Sequence, residues 1–237
     1  MISAVLFDFG QTLVDSSQGF RAAEKTAETR IFENLGLASW SEFLSDYRTF
    51  RQDFHAVSIF SRRALWQAVF EHYSCTPKPG LLSELEWAYW EEVSARTRLF
   101  PEALSVLERL SERHRLAMIT NTQGQSASHR HRLAQFSDLK SYFEVIIVAG
   151  EEGIPPKPDP EPFLLCLERL SLDPAETVYV GDDWRIDICG AKAIGIRPIW
   201  LQHHSTRRKW PQVAPDVPVI FNLEELLDLD ALWNDDH

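Results

Sequence analysis

The sequence is poor in cysteine and has no long apolar run, and both absences exclude classes of protein. Its 237 residues include only three cysteines, Cys75, Cys166 and Cys189, an odd number without CxxC spacing, so no disulfide framework is predicted. We interpret all three as reduced, which favours a cytoplasmic location. No segment approaches the roughly 20 apolar residues of a membrane span, and the first residues lack the basic and apolar regions of a secretion signal. We therefore expect a soluble, untargeted protein.

Positive charge is also scarce. Twenty-four lysines and arginines stand against 35 aspartates and glutamates, which gives a formal net charge of −11. The summed field of such a chain repels phosphate backbones and anionic lipid surfaces. Nucleic acid and membrane are therefore not expected partners, although a locally positive pocket can still bind a small anion.

The order of the sequence patterns predicts an α/β fold with a helical insertion. After a short apolar strand, Ser3 to Phe7, residues 16–97 show apolar residues at helical spacing without β-branched runs. From residue 98 onward strand and helix patterns alternate, which favours right-handed crossovers and a parallel, Rossmann-like sheet. We assign residues 1–15 and 98–237 to this sheet domain and 16–97 to an all-helical domain. Later strands are predicted at "RLAMIT", "FEVIIVAG", "TVYVGD" and "RPIWL", and helices at Glu102 to Glu112, near Ser126 to Gln135, at Glu161 to Leu170 and at Arg185 to Ile194.

Polar side chains follow the predicted strands where each one ends. Ligands of open α/β sheets bind outside the carboxyl ends of the strands, so these residues are expected to converge on one pocket. The first strand delivers Asp8 to Thr12, the second Thr120 and Asn121, and the loop after the third carries Lys157. The fourth strand end is the segment "GDDWRID", with Asp182, Asp183 and Asp187.

Each of these residues has a simpler interpretation when taken alone. An aspartate after a strand often caps a helix or turn, and "PPKPDP" is typical of a rigid surface linker with a solvated lysine. Four independent caps, however, need not place carboxylates, a hydroxyl and an ammonium group at one sheet edge. The combination therefore favours a functional site.

The residue types at these strand ends indicate phosphoryl chemistry. Carboxylates gathered in one pocket repel each other unless a cation compensates them, and oxygen ligands suit Mg²⁺. Asp8 and Asp182 are then metal ligands, and Asp8 can also attack phosphorus as a nucleophile. Thr120, Asn121 and Lys157 would provide hydrogen bonds and positive charge to the phosphoryl oxygens.

Four segments, "VLFDFGQTL", "AMITN", "PPKPDP" and "VYVGDDWRID", resemble in order and spacing the four motifs of the haloacid dehalogenase superfamily. The helical insertion resembles its class I cap. The resemblance implies a Rossmann-like core, Asp8 as nucleophile, and Thr120 and Lys157 as phosphate-binding residues. It also implies an Mg²⁺ site, whose residues would be Asp8, the backbone carbonyl of Gly10, Asp182 and, in a supporting role, Asp187.

Gly10 departs from the pattern of the family's phosphatases. They usually carry a second aspartate there, which protonates the leaving group and later activates water. Three functions are left open: a phosphatase that uses an activated leaving group or a borrowed carboxylate, a dehalogenase, and a binding protein without turnover. The nearest spare carboxylate is Asp15, which we interpret first as a helix cap.

The acid-rich "GDDWRID" suits a cation, and retention of Asp8, Thr120 and Lys157 suits turnover. These features favour a Mg²⁺-dependent phosphomonoesterase acting on a small phosphorylated metabolite. We interpret the basic run in "SHRHRLAQF", which includes Arg132, as a solvated face.

Overall fold

The computed structural model describes residues 1–122, 132–206, 210–213 and 215–233, without the side chain of residue 232. Two compact units emerge from the contacts within the chain. Unit 1 comprises Met1–Ser17, Arg98–Asn121 and Arg132–His237, and unit 2 comprises Gln18–Thr97 and Thr122–His131. The assignment of 16–97 as a cap domain stays a prediction.

Unit 1 is built on a parallel sheet. Within the described ranges the sheet has six strands, and every adjacent pair is parallel. In their order across the sheet, the strands are β5 Val145–Ala149, β4 Arg115–Asn121, β1 Ala4–Phe7, β6 Thr177–Gly181, β7 Arg197–Leu201 and β8 Val219–Ile220. The central strand β1, with the apolar sequence AVLF, is fully buried, as expected for a strand covered on both faces. This arrangement confirms the predicted α/β fold with a parallel, Rossmann-like sheet.

The helices of unit 1 follow most of the predicted positions. They are α5 Ala103–Ser111, α6 Ser137–Lys140, α7 Glu161–Leu170, α8 Cys189–Ala193 and α9 Glu225–Trp233. The predicted helix from Arg185 to Ile194 begins instead with a π-helical turn, Trp184–Ile188, before α8. Of the helix predicted near Ser126 to Gln135, only a 3₁₀ turn, Arg132–Gln135, lies within the described residues.

A short antiparallel ribbon joins the two points where the chain leaves and re-enters unit 1. Its strands are β2, Val14–Asp15, and β3, Arg98–Leu99. The sequence did not predict this ribbon, because two-residue strands carry no periodicity.

Unit 2 is helical, with α1 Ser17–Leu35 entering it from unit 1, followed by α2 Trp40–Ala56, α3 Arg62–His72 and α4 Leu81–Arg96. Its core buries a polar network around Glu24, whose Oε1 accepts a hydrogen bond from Tyr47 (2.6 Å) and whose Oε2 accepts one from Tyr89 (3.0 Å). Arg62 lies 3.5 Å from the same carboxylate, so the buried charge is compensated. No helix in the described part of the chain has the length and apolar character needed to cross a membrane.

A buried pair, His114 and Asp230, ties α9 to the start of β4. The ring nitrogen Nδ1 lies 3.0 Å from the carbonyl oxygen of Ile2, and Nε2 lies 2.6 Å from Asp230 Oδ1. A carbonyl oxygen only accepts, so Nδ1 donates to Ile2, and the contact between Nε2 and the Asp230 carboxylate is the second bond of the ring. The pair therefore fixes the packing of the last helix through two directed bonds.

We expect Asp230→Ala to lower the free energy of unfolding by about 1–3 kcal/mol, because it leaves a buried ring nitrogen without its partner. Asp228→Ala is the matched control, since Asp228 is exposed on the same helix, and its effect should stay within about 0.5 kcal/mol. Urea unfolding followed by circular dichroism measures both. Equal effects of the two substitutions would refute the role assigned to the pair.

Candidate active site

The ammonium group of Lys157 is the centre of the candidate site. Lys157 lies in the loop between β5 and α7 and is only 1% exposed. Its Nζ donates to Asp8 Oδ1 (2.8 Å), Asp187 Oδ1 (2.7 Å) and the carbonyl oxygen of Ile119 (2.7 Å), and it lies 2.7 Å from the Tyr179 hydroxyl. These partners come from β4, from the end of β1, from β6 and from the turn after β6, so the order of adjacent strands assembles the site. Burial opposes the charge of Lys157, but the carboxylates of Asp187 and Asp8 outweigh it and raise its pKa.

Asn121 positions the backbone of Lys157. Its Oδ1 accepts from the Lys157 N–H (2.8 Å), and its Nδ2 donates to the Lys157 carbonyl (3.0 Å). The carboxamide at the end of β4 thus fixes the loop that carries the lysine. The predicted contact of Asn121 with substrate stays a prediction, as does that of Thr120, which is buried beside it in β4.

Three buried carboxylates form an acidic cluster around the lysine. Asp8, Asp182 and Asp187 each offer one oxygen, and these atoms lie within 4.8 Å of one another. Burial, with the nearby charges of Asp8 and Asp183, raises the pKa of Asp187 to about 6, although Lys157 acts in the opposite direction. Since three carboxylates exceed the single charge of the lysine, the donor set fits a divalent cation with oxygen ligands.

The two carboxylates Asp183 and Asp187, which follow β6, make different contacts. Asp183 faces the backbone, where its Oδ1 accepts from the N–H groups of Arg185 (3.0 Å) and Ile186 (2.9 Å) at the start of the π-helical turn. Asp187 instead packs closely against Gly181 at the end of β6. A Cβ atom on residue 181 would lie only 2.4 Å from the Cβ of Asp187, so any side chain there would clash with it. A glycine at 181 is thus required for Asp187 to reach Lys157.

Gly10 lies two residues beyond Asp8, and a buried arginine stands beside it. A Cβ atom on Gly10 would lie 3.3 Å from Nη2 of Arg132. Arg132 is 4% exposed, donates from Nη1 to the Ser16 hydroxyl (2.5 Å) and places its guanidinium 5.5 Å from the ring centre of Phe9. The interpretation of Arg132 as part of a solvated face is therefore wrong, and His129 to His131 of the same run lie outside the described residues.

The carboxylate of Asp15 is engaged at the start of α1. Its Oδ1 accepts from the backbone N–H (2.8 Å) and the hydroxyl (2.5 Å) of Ser17. This geometry is that of the helix cap expected from the sequence. By contrast, the Thr12 hydroxyl is buried and has no hydrogen-bond partner among the described residues.

Sequence reasoning missed Tyr179 as well as Arg132. Tyr179 is the aromatic residue of the otherwise aliphatic strand end "TVYVG", and its hydroxyl lies 3.0 Å from the Ile119 carbonyl and 3.3 Å from Asp187 Oδ1. A polar tip in a fully buried strand needs a partner, and that rule would have indicated Tyr179. No comparable signal marks Arg132, since its neighbours in sequence are polar and basic.

We expect Lys157→Met to lower the free energy of unfolding of the metal-free protein by about 3–5 kcal/mol, because three buried carboxylates lose their compensating charge. The matched control is Lys192→Met, which removes an exposed ion pair with Asp216 and should cost less than about 1 kcal/mol. Both variants are compared with the parent by urea unfolding in EDTA. If the two substitutions cost the same, the lysine does not compensate the cluster.

The proteins to which the chain is similar include several named as phosphatases. The chain is 27% identical over 97% of both chains to a glyceraldehyde 3-phosphate phosphatase of Methanopyrus kandleri. It is 30% identical over 84% of both chains to a ribulose-1,5-bisphosphate 5-phosphatase of Halopiger xanaduensis. Among solved structures, a 2-haloacid dehalogenase of Pseudomonas syringae pv. tomato superposes with a TM-score of 0.66 at 28% identity, over 98% of this chain and 100% of that one.

The family model for haloacid dehalogenase-like hydrolases matches residues 2–195. This match contains both β1 with Asp8 and the segment after β6 with Asp182 and Asp187. The resemblance of the four sequence motifs is thereby confirmed, and the chain is a hydrolase that belongs to the haloacid dehalogenase-like family.

Proposed function

We propose that the protein is a Mg²⁺-dependent phosphomonoesterase that acts on a small phosphorylated metabolite through a phospho-enzyme on Asp8. The observation that carries the proposal is the bond from Lys157 Nζ to Asp8 Oδ1 inside the three-carboxylate cluster. The ammonium group orients this carboxylate at the tip of the strand and places a positive charge beside it, where a nucleophile would meet the phosphoryl oxygens. The relatives named for sugar phosphates support a phosphate ester as substrate.

In the proposed reaction an oxygen of Asp8 attacks phosphorus, and the ester oxygen leaves with the bonding electrons. Water then cleaves the aspartyl phosphate at phosphorus, which releases phosphate and restores the carboxylate. Lys157 and Thr120 would contact the phosphoryl oxygens, and Asn121 would hold Lys157 in place. When bound to Asp8, Asp182, Asp187 and the carbonyl of Gly10, Mg²⁺ would neutralise negative charge on the phosphoryl oxygens.

The same proposal includes two expectations about the domain organisation and the location of the protein. Residues 16–97 would form the cap domain of this family, and the reaction would take place in the cytoplasm. The reduced state expected for the three cysteines supports the second of these.

Haloacid dehalogenation is the second candidate, because the similarity to a solved 2-haloacid dehalogenase covers nearly the whole chain. There Asp8 would displace halide from carbon, and water would cleave the resulting ester at the carboxyl carbon. The two reactions differ in which product receives the oxygen atom of the attacking water. A single turnover in ¹⁸O-water labels released phosphate in a phosphatase and Asp8 itself in a dehalogenase.

We expect phosphate release from a panel of phosphomonoesters to require Mg²⁺ and to fall by at least about 10³-fold in Asp8→Asn, which removes the nucleophile. Asp15→Asn tests the borrowed carboxylate. Because the Asp15 oxygen is engaged with Ser17, we expect this variant to retain activity within about tenfold. The Oδ1 of asparagine can accept the same two bonds as a cap, and only the carboxylate that could act as a general acid is lost.

Release of chloride from 2-chloropropionate with no phosphate from any ester would replace the phosphatase with the dehalogenase. A loss in Asp15→Asn as large as that in Asp8→Asn would instead make Asp15 the general acid and base.

A further inference from the structure

A second cluster of polar side chains lies in unit 1, in the loop that follows β7. The imidazole of His203 is buried, and its Nε2 lies 2.8 Å from Glu102 Oε1. Its Nδ1 lies 2.8 Å from the hydroxyl oxygen of Ser205, which is exposed at the surface of the protein. A carboxylate, an imidazole and an accessible hydroxyl are thus hydrogen-bonded in series, and none of the three belongs to the cluster around Lys157.

The contacts of the imidazole determine which of its nitrogens carries the proton. The backbone N–H of Ser205 donates to Nδ1 (3.3 Å), so Nδ1 is an acceptor and holds the free electron pair. Nε2 therefore carries the proton and donates it to Glu102. Burial opposes the charge of Glu102, but the bond from His203 and two backbone bonds outweigh it and lower the pKa of this carboxyl. The Ser205 hydroxyl, in turn, donates to Nδ1, as the hydroxyl of a serine nucleophile does to its general base.

The surroundings of His203 favour its neutral form. The ring of Phe100 stacks on the imidazole, with 3.6 Å between the ring centres and 13° between the planes. Burial lowers the pKa of His203 below its ordinary value, although Glu102 acts in the opposite direction. The other titratable groups that act on it are His204, which lowers the pKa, and Asp15, which raises it. The electron pair of Nδ1 is therefore available at neutral pH.

We propose that Ser205 is a nucleophile that activated acyl esters modify, with His203 as its general base and Glu102 as the residue that orients this base. Ser205 Oγ attacks the carbonyl carbon of the ester, and the hydroxyl proton passes to His203 Nδ1. The bond between that carbon and the leaving oxygen then breaks, and its electron pair leaves with the oxygen as a stable anion. The imidazolium returns its proton to solvent, and the product is an acyl-serine.

An acyl donor suits this cluster better than a phosphoryl donor. The described contacts of Ser205 and His203 provide a base and a carboxylate, and they include no lysine or arginine. Phosphoryl transfer depends on cations that neutralise the phosphoryl oxygens, whereas attack on an activated acyl carbon gains chiefly from removal of the hydroxyl proton. The inference does not depend on the proposed function, since neither Asp8 nor a metal takes part.

The test uses p-nitrophenyl acetate as the probe and follows the acetylation of individual serines with time by peptide mass spectrometry. Ser111 is the internal control, because it is also exposed but its hydroxyl donates to the carbonyl oxygen of Glu108 (2.7 Å), which is not a base. We expect Ser205 to react at least about 10²-fold faster than Ser111. The rate at Ser205 should be level between about pH 7 and 8 and fall below about pH 6, where His203 becomes protonated.

Two variants test the base and the residue that orients it. His203→Gln should lower the rate of acetylation at Ser205 to that at Ser111. Glu102→Gln should lower it by at least about tenfold, because the imidazolium formed during attack loses its compensating charge. EDTA, which removes Mg²⁺ from the proposed phosphatase site, should leave the rate at Ser205 unchanged.

The outcomes separate this inference from the proposed function. Equal rates at Ser205 and Ser111, or an unchanged rate at Ser205 in His203→Gln, would mean that His203 only ties the loop to Glu102, and would overturn the inference. An acetyl group on His203 in place of Ser205 would overturn it as well, because the imidazole would then be the nucleophile. All of these results leave the phosphatase unaffected. Circular dichroism verifies that each variant is folded, and the parent protein alone supplies the comparison of the two serines and the pH profile.

Discussion

A single buried ammonium group organises the core of this protein. Lys157 reaches its partners only because β4, β1 and β6 are adjacent, so that their carboxyl ends bring Ile119, Asp8 and Tyr179 to one point. The charge is tolerated in the interior because carboxylates and a carbonyl replace the water it loses. Removing the lysine would leave buried carboxylates without a compensating charge, and removing a carboxylate would leave the ammonium group with fewer partners. The sheet therefore positions the residues of the site, and the bonds of Lys157 in turn hold the ends of these strands together.

The parallel sheet and the convergence of polar side chains were predictable, because both follow from backbone order. Alternating strand and helix patterns place successive strand ends at one edge, and the acidic cluster forms there as expected. Side-chain direction was not predictable in the same way. The role of Asn121 as a clamp on the Lys157 backbone depends on rotamers, and the burial of Arg132 depends on where a short 3₁₀ turn is placed.

The departure at Gly10 shows why a motif has to be interpreted together with its surroundings. Taken from the sequence alone, a glycine in place of an acid is a loss. The structure shows that the volume beside it is filled by Arg132, which is remote in sequence but adjacent in space. Asp187 and Gly181 form a second such pair, in which the absence of a side chain at one position creates the space for a functional group at the other.

The β2 and β3 ribbon pairs Val14 with Leu99 and Asp15 with Arg98, so the chain leaves unit 1 and returns to it at neighbouring residues. The entropic cost of bringing the two ends of the intervening segment together depends only weakly on the length of that segment. Any independently folding segment with adjacent termini would meet the same geometric condition. The ribbon thus permits helical segments of different length between Asp15 and Arg98 while the register of the sheet strands stays unchanged.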